Sequence, residues 1–332
     1  MRRLRDARDG GGLRGGGGLR DGEGLRDGEG LRDDGGVRGG GRGENAGGWD
    51  ITAPDGGRLL YPAGPGAVPV VPEGAEPYDV AFLDLLGDPA QLGWLRARGL
   101  ITAETVTVVA CADHRVASEA ELAQRCGFWR VRLAGDGETI EPVRSGSNVV
   151  EWPAGSRRVL VLGGARSGKS ERAELRLAGE PDVTYVATGG SGAGDPEWAA
   201  RVAAHRARRP AWWRTAETTD LAGLLGTARG ALLIDGIGTW LAAVLDECGA
   251  WEAGKDGSAA RDKVAARIAG LVGAWRQTSA YVVAVSDETG LGVVPATPAG
   301  RLFRDELGRL NQALAAESEE AELIVAGRVV SL

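Results

Sequence analysis

A glycine-rich turn between a run of apolar residues and a helix-forming segment constrains this chain more than any other feature. Residues 159–170 read VLVLGGARSGKS, and the turn matches the phosphate-binding pattern G-x-x-x-x-G-K-[ST]. The four apolar residues predict a short buried strand, and the following ERAELRLAG predicts a helix. Because strand, turn and helix in this order are the context that the pattern requires, the sequence predicts a nucleotide-phosphate site here.

Each residue type in this turn has a physical reason to be there. Gly163 and Gly168 let the backbone curl until successive N–H groups point into one concavity, and the helix that follows adds its positive dipole end. We expect Lys169 to reach the β- and γ-phosphates and the Ser170 hydroxyl to ligate Mg²⁺. The predicted nucleotide-binding turn consists of Gly163, Gly164, Ala165, Arg166, Ser167, Gly168, Lys169 and Ser170.

Glycine makes up 55 of the 332 residues, which favours chance matches to a glycine-rich pattern. Lysine is scarce, however, and occurs only as Lys169, Lys255 and Lys263. A chance match would therefore need one of three lysines to fall at the one correct position.

Length, charge and cysteines limit the other possibilities. A chain of 332 residues is long enough for two domains. Its formal net charge of −7 argues against a general nucleic-acid binder, because no excess positive charge is available to pair with phosphates.

The spacing of Cys111, Cys126 and Cys248 suits neither a zinc site nor a disulfide framework. With no apolar run near the roughly 18 residues of a membrane span, and no apolar secretory signal, we expect a cytoplasmic protein.

The chain divides by composition into four parts. Residues 1–48 are low in complexity, with a GLRDGE repeat of leucines every sixth residue that cannot offset the entropy of ordering, so we expect disorder. Residues 49–143 predict a small, non-catalytic α/β segment. Residues 144–157 predict a linker, and residues 158–332 form the P-loop domain.

The small segment carries a recognisable helix start and one histidine. Ser118 with Glu121 three residues later forms a capping box, and FWRVRLAGDGETI predicts a closing strand. By strand order and the ADHR run, residues 49–143 weakly resemble the C-terminal half of a metallo-β-lactamase-like domain. That family binds metal through an HxHxDH run, which this chain lacks, and His114 with Asp113 cannot build a two-metal site. We therefore expect a structural remnant or a docking module.

From residue 159 onward, apolar strands alternate with helices, which predicts a mostly parallel sheet covered by helices on both faces. Ligands bind beyond the carboxyl ends of such strands. We therefore expect the P-loop, Thr188, Asp235 and the loop 286–290 to converge on one site.

Two residues outside the P-loop carry candidate chemistry. Asp235 ends an apolar strand, as a carboxylate that holds Mg²⁺ opposite Ser170 would, although it could instead cap a helix starting near Thr239. His205 lies on a helix among arginines, either as an exposed surface histidine or as a nucleophile that repulsion from those arginines keeps neutral. Attack on an α-phosphate would expel pyrophosphate and leave a phosphoramidate. The surrounding arginines are Arg201, Arg206, Arg208 and Arg209.

Residues 158–332 also follow the order and spacing of one protein family. The matching segments are GGARSGKS, YVAT, EWAARVAAHRARRPAWWRTAE, ALLIDGIGTWL, VSDETGLGVVP and RLFRDELGRLNQALA. In this combination the domain resembles the bifunctional adenosylcobinamide kinase/adenosylcobinamide-phosphate guanylyltransferase of cobalamin biosynthesis. The resemblance implies a RecA-like P-loop α/β fold assembled as a homotrimer.

The resemblance also implies two reactions. The γ-phosphate of ATP or GTP passes to the hydroxyl of adenosylcobinamide, and GMP from GTP then passes through a guanylyl-histidine to form adenosyl-GDP-cobinamide. The H-R-x-x-R-P segment places the nucleophile at His205, and the strand-end acid is Asp235. Glu217 and Glu288 match acids of the family, although each could equally be a surface or capping carboxylate. Gly168, Lys169 and Ser170 match its P-loop.

One position departs from the family, whose loop usually reads Ser-Asn-Glu where this chain has Ser286, Asp287 and Glu288. An amide that can donate becomes a carboxylate that cannot, which puts nucleotide affinity or base choice in question. Two alternative functions stay open: a P-loop small-molecule kinase without nucleotidyl transfer, and a non-catalytic GTP-binding protein. Both retain the P-loop, and only the first retains phosphoryl transfer.

Overall fold

The computed structural model describes residues 48–62, 71, 74–110, 114–142, 157–189, 196–251 and 258–332. The segment predicted to be disordered and the predicted linker lie outside these residues, except that Gly48 and Arg157 each begin a strand. None of the described helices is long and apolar enough to cross a membrane.

The small segment forms a four-stranded sheet in the order β1-β2-β3-β4, with β1 and β2 antiparallel and the other pairs parallel. The capping box is confirmed, since Ser118 Oγ accepts a hydrogen bond from the Glu121 amide at 3.1 Å. The predicted closing strand is wrong: Phe128 and Trp129 end α2, and only a single bridge joins Val108 to Arg132. The elements are β1 Gly48–Thr52, β2 Arg58–Pro62, β3 Val80–Leu83, α1 Ala90–Ala97, β4 Val106–Val109 and α2 Glu119–Trp129.

The P-loop segment forms a seven-stranded sheet in the order β11-β10-β5-β9-β8-β6-β7, parallel except for the edge strand β11. The predicted parallel α/β architecture is confirmed. The elements are β5 Arg157–Gly163, α3 Lys169–Leu177, β6 Val183–Ala187, α4 Pro196–Arg208, β7 Arg214–Glu217, α5 Leu221–Thr227, β8 Ala231–Asp235, α6 Ile237–Glu247, α7 Ser258–Gln277, β9 Tyr281–Asp287, α8 Pro298–Ala316, β10 Glu320–Val325 and β11 Arg328–Ser331.

Alternate residues of the central strands point to opposite faces, and each face is covered. Leu160 and Leu162 pack with helices α5 to α8 in one buried cluster. Val159 and Val161 pack on the other face against Ala173 and other residues of α3. Because both faces are covered, the strands read as continuous apolar runs rather than as alternating ones.

A buried ionic network fixes the P-loop helix α3 to the sheet. Glu322 on β10 is 2% exposed and receives hydrogen bonds from Arg172 Nε at 3.0 Å and from Arg176 Nη1 at 2.6 Å. Buried charges are tolerated only when they are paired, so the removal of Glu322 would leave the buried guanidinium of Arg172 without its carboxylate. The helix that begins at the phosphate site is therefore held in one position.

Helix α2 of the small segment packs on α3. Trp129 Nε1 donates to the Leu175 carbonyl at 2.9 Å, and the Arg130 guanidinium lies 2.5 Å from Glu180. The ring of Phe128 lies beneath both guanidiniums of the buried network. The described residues of both sheets belong to one compact unit, and the predicted boundary between two domains stays a prediction.

Gly93 on α1 tests how tightly these parts are joined. A Cβ at Gly93 would lie 2.5 Å from the Ala178 carbonyl oxygen and 2.8 Å from that of Glu180, so Gly93→Ala forces backbone apart. We expect Gly93→Ala to lower the free energy of unfolding by about 1 to 3 kcal/mol, as overpacking does.

The matched control is Gly127→Ala on α2, where a Cβ meets no atom within 4 Å. This change should raise the free energy of unfolding by about 0.5 to 1 kcal/mol, because alanine is the better helix former. Urea denaturation measures the free energy of unfolding of both variants. If the two variants were equally stable, the backbone around Gly93 would be able to move aside, which would contradict the prediction.

Candidate active site

The carboxyl ends of the central parallel strands meet at one edge of the large sheet. Gly163 at the end of β5 pairs in register with Asp287 at the end of β9, and Asp235 at the end of β8 pairs with Ala187 of β6. A cleft of about 1000 Å³ opens there, between the P-loop and α4. The convergence predicted from the strand order is therefore present for the P-loop, Asp235 and Asp287.

The P-loop has the curled backbone that an anion site needs. Arg166 and Gly168 have positive φ angles of 57° and 96°, and Gly168 is the residue immediately before α3. Gly163 is required for a different reason: a Cβ there would lie 2.8 Å from the Ile324 carbonyl oxygen and would also collide with Ser167 Oγ. The Gly327 amide donates to the Ser167 carbonyl at 2.8 Å, so the turn after β10 braces the loop.

The two functional side chains of the P-loop face acidic partners. Lys169 Nζ lies 2.8 Å from Asp287 Oδ1 and 3.1 Å from the Gly164 carbonyl. Ser170 Oγ lies 3.4 Å from Asp235 Oδ1. The P-loop cation and hydroxyl therefore each have a carboxylate beside them at the sheet edge.

Asp235 contacts three other side chains of the cleft. Its Oδ2 accepts a hydrogen bond from the Tyr185 hydroxyl at 3.0 Å and lies 3.3 Å from His205 Nδ1, while its Oδ1 faces Ser170. Burial by itself would raise the pKa of Asp235, but His205, Tyr185 and the charge of Lys169 together lower it. The alternative role as a helix cap is wrong, because α6 begins after Gly236 without a side-chain cap.

His205 lies on α4 with its side chain 30% exposed. The predicted crowding by arginines is only partly present. Arg208 Nη2 lies 3.4 Å from His205 Nδ1, whereas Arg209 stacks over the Tyr185 ring and Arg206 turns to Glu217 at 3.8 Å. The Arg201 side chain lies outside the described part of the chain. The imidazole of His205 instead contacts the carboxylate of Asp235, a pair that the spacing of the sequence did not predict.

The remaining predicted residues divide into two groups. Glu217 lines the cleft, together with the P-loop residues Ala165 to Ser170. Thr188 instead donates to the Gly236 carbonyl at 2.7 Å, and Glu288 accepts the Gly290 amide at 2.6 Å. In these positions Thr188 supports the start of α6 and Glu288 caps its own loop, and their roles in nucleotide binding stay predictions.

Sequence reasoning missed two residues and one contact of the cleft. Tyr185 lies two residues before the end of β6, and this position at a strand end could have identified it. Asp287 was expected at this edge as part of the loop 286–290, but its pairing with Lys169 was not expected. Glu174 on α3 pairs with Arg208 at 3.2 Å, and burial, partly opposed by Arg208, raises the pKa of the Glu174 carboxyl. No local pattern indicates that pair.

The donor set of the cleft is suited to Mg²⁺. Within the described chain, no group of three His, Cys, Asp or Glu side chains could hold a metal by itself. Mg²⁺ does not need one, because it prefers oxygen ligands and usually keeps waters and substrate phosphates beside one or two carboxylates. The Ser170 hydroxyl and the Asp235 carboxylate provide such oxygens beside the phosphate turn.

Comparison with known proteins matches the same part of the chain. Residues 159–332 match the family described as cobinamide kinase / cobinamide phosphate guanyltransferase. The bifunctional adenosylcobalamin biosynthesis protein CobU of Salmonella typhimurium strain LT2 is 40% identical over 179 residues, which cover 51% of this chain and 96% of that protein. The protein CobP of the same description from Pseudomonas aeruginosa strain PAO1 is 42% identical over 178 residues, 51% of this chain and 94% of that protein.

A solved ATPase of a bacterial type III secretion system covers 53% of this chain and 56% of its own, with 12% identity and a TM-score of 0.34. A similarity of that size supports no argument. The family match begins at residue 159, so the weak resemblance of residues 49–143 to a metallo-β-lactamase-like domain stays a prediction.

The hydrogen bond from Tyr185 to Asp235 gives a test with a defined pH dependence. A carboxylate with a lowered pKa stabilises the fold above its ordinary pKa of 3.8 and loses that contribution as the pH falls through the folded-state value. Tyr185→Phe should therefore lower the free energy of unfolding by about 2 kcal/mol at pH 7 and pH 5, because it removes a hydrogen bond to a charged group.

The difference from the unsubstituted protein should diminish only as the pH falls below 3.8 and through the lowered pKa of folded Asp235, where the carboxylate becomes protonated. Urea denaturation at each pH measures the free energy of unfolding of both proteins. Tyr61→Phe is the control, because Tyr61 is 47% exposed on the small sheet. A difference that grows on acidification would contradict the assigned direction.

Proposed function

The chain belongs to the cobinamide kinase / cobinamide phosphate guanyltransferase family, and we propose that its cleft carries out both reactions of that name. It phosphorylates adenosylcobinamide with ATP or GTP and then transfers GMP from GTP, forming adenosyl-GDP-cobinamide in adenosylcobalamin biosynthesis. The P-loop, His205 and Asp235 all lie within the matched residues.

The observation that supports two reactions in one cleft is the double contact of Asp235. One carboxylate oxygen faces the P-loop hydroxyl of Ser170, and the other faces the imidazole of His205. The phosphate-binding turn and the candidate nucleophile are therefore neighbours, although they come from different elements. A kinase alone would not need a histidine at this position.

In the first reaction the substrate hydroxyl attacks the γ-phosphorus and loses its proton to solvent. The bond from that phosphorus to the β-phosphate oxygen breaks, and the nucleoside diphosphate leaves. The N–H groups of the P-loop and Lys169 hold the phosphates and stabilise the charge of the transition state. Ser170 and Asp235 would hold Mg²⁺, which neutralises phosphate charge when it is bound.

In the second reaction His205 attacks the α-phosphorus of GTP. A P–N bond forms, the bond from the α-phosphorus to the bridging oxygen breaks, and pyrophosphate leaves. Asp235 lies at Nδ1 and orients the ring, so Nε2 is the nitrogen left to bond phosphorus. The phosphate of the phosphorylated cobinamide then attacks the same phosphorus, which breaks the P–N bond and restores His205.

The finer parts of the proposal rest on the resemblance. The homotrimer, the cytoplasmic location and the roles of Glu217 and Glu288 stay predictions. Glu217 has the better position of the two acids, because it lines the cleft beside Arg206.

Labelled GTP tests the proposal directly. GTP carrying label at either the α- or the γ-phosphate is incubated with the protein, with and without adenosylcobinamide. A denaturing gel shows label on the protein, and chromatography shows label on the cobinamide. We expect α-label on the protein that is acid-labile and alkali-stable, as a phosphoramidate is. His205→Ala should abolish this label while γ-label still reaches cobinamide.

His114→Ala is the matched control, because His114 is the other histidine of the chain and is exposed in the small segment. It should retain the α-label. Transfer of γ-label without any α-label would reduce the protein to a small-molecule kinase. GTP binding without transfer of either label would make it a non-catalytic GTP-binding protein.

A further inference from the structure

The lysine of the P-loop is paired with a carboxylate of the chain itself. Lys169 Nζ lies 2.8 Å from Asp287 Oδ1, and the Lys169 side chain is only 15% exposed. The Asp287 side chain is 48% exposed and lines the cleft. A phosphate that approaches this ammonium therefore meets a negative charge already placed beside it.

The backbone holds Asp287 at this position. It is the last residue of β9 and lies in register opposite Gly163, the first residue of the P-loop. Its carbonyl accepts a hydrogen bond from Asn311 Nδ2 at 3.0 Å, and the next amide, of Glu288, donates to the Gly163 carbonyl at 3.1 Å. The backbone of Asp287 is therefore fixed beside the phosphate site, and its carboxylate can move away only by rotation of the side chain.

The first turn of α6 limits the side chain from another direction. A Cβ on Gly238 would lie 3.2 Å from Asp287 Oδ2, so little space separates the carboxylate from that helix. Asp235 and Asp287 thus bring two negative charges to the two P-loop residues that act on phosphate, Ser170 and Lys169. A phosphate bound by Ser170 and Lys169 would lie beside both carboxylates, and like charges so close together repel strongly in a partly dehydrated cleft.

We propose that Asp287 is an internal counter-anion of Lys169 that makes triphosphate binding depend on a divalent cation. A triphosphate without a cation must compete with the carboxylate for Lys169 and lie beside both acids. A cation that enters with the phosphates supplies the positive charge that offsets Asp287. The inference rests on the proposed function only in taking a nucleoside triphosphate as the ligand of the P-loop.

Asp287→Asn tests this, because it removes the charge and preserves the shape. Isothermal titration measures the Kd of inorganic tripolyphosphate and of GTP, each with excess EDTA and with Mg²⁺. In EDTA we expect the variant to bind both ligands about 10-fold more tightly than the unsubstituted protein, since one repulsive charge is gone. With Mg²⁺ the gain should be much smaller.

Asp246→Asn is the matched control, because it removes the same charge from the exposed far end of α6. It should leave the Kd of tripolyphosphate and the Kd of GTP unchanged, both in EDTA and with Mg²⁺. Equal effects of Asp287→Asn with and without Mg²⁺ would overturn the inference, and so would an effect on GTP that tripolyphosphate does not show, since that would indicate base recognition. Failure of the unsubstituted protein to bind GTP with Mg²⁺ would instead overturn the proposed function.

Discussion

The carboxylate of Asp235 is the contact on which the candidate active site depends. It lies at the end of a central strand with its side chain 12% exposed, and its two oxygens face different elements: Ser170 of the P-loop on one side, and Tyr185 and His205 on the other. A buried carboxylate keeps its charge only if its neighbours compensate for lost hydration, and these neighbours do so. The same contacts that keep Asp235 ionised therefore bring His205, the proposed nucleophile, to the P-loop.

The position of the P-loop helix depends on a second set of buried charges. Glu322 holds Arg172 and Arg176, and the aromatic end of α2 covers the network from the small sheet. This arrangement gives the N-terminal segment a physical role that requires no chemistry of its own. It buries charged groups that would otherwise be exposed at the back of α3, and Trp129 supplies a hydrogen bond across the junction. A docking module for another protein is not needed to explain these contacts.

Much of the fold could be predicted because its strands are buried on both faces. Continuous apolar runs mark β8 and β9 in the sequence, and the turn Pro54-Asp55-Gly56-Gly57 marks the hairpin of β1 and β2. The short edge strands β7 and β11 carry no such run, since an edge strand buries little. In β11 the signal was the pair Ala326 and Gly327, whose positive φ angles form a tight hairpin turn, but alanine rarely adopts that conformation. The strand predicted after α2 failed because its aromatic residues are the buried end of the helix.

The sequence by itself determined the phosphate-binding chemistry, because the glycines, Lys169 and Ser170 act within one short turn whose geometry is local. It also placed Asp235 correctly, since any residue that ends a central parallel strand lies at the ligand-binding edge. Only the tertiary structure decided which side chains meet there. That His205 faces Asp235 rather than a ring of arginines depends on how α4 packs. That Lys169 pairs with Asp287 depends on β5 and β9 being neighbours in the sheet, and strand order is set by packing over the whole domain.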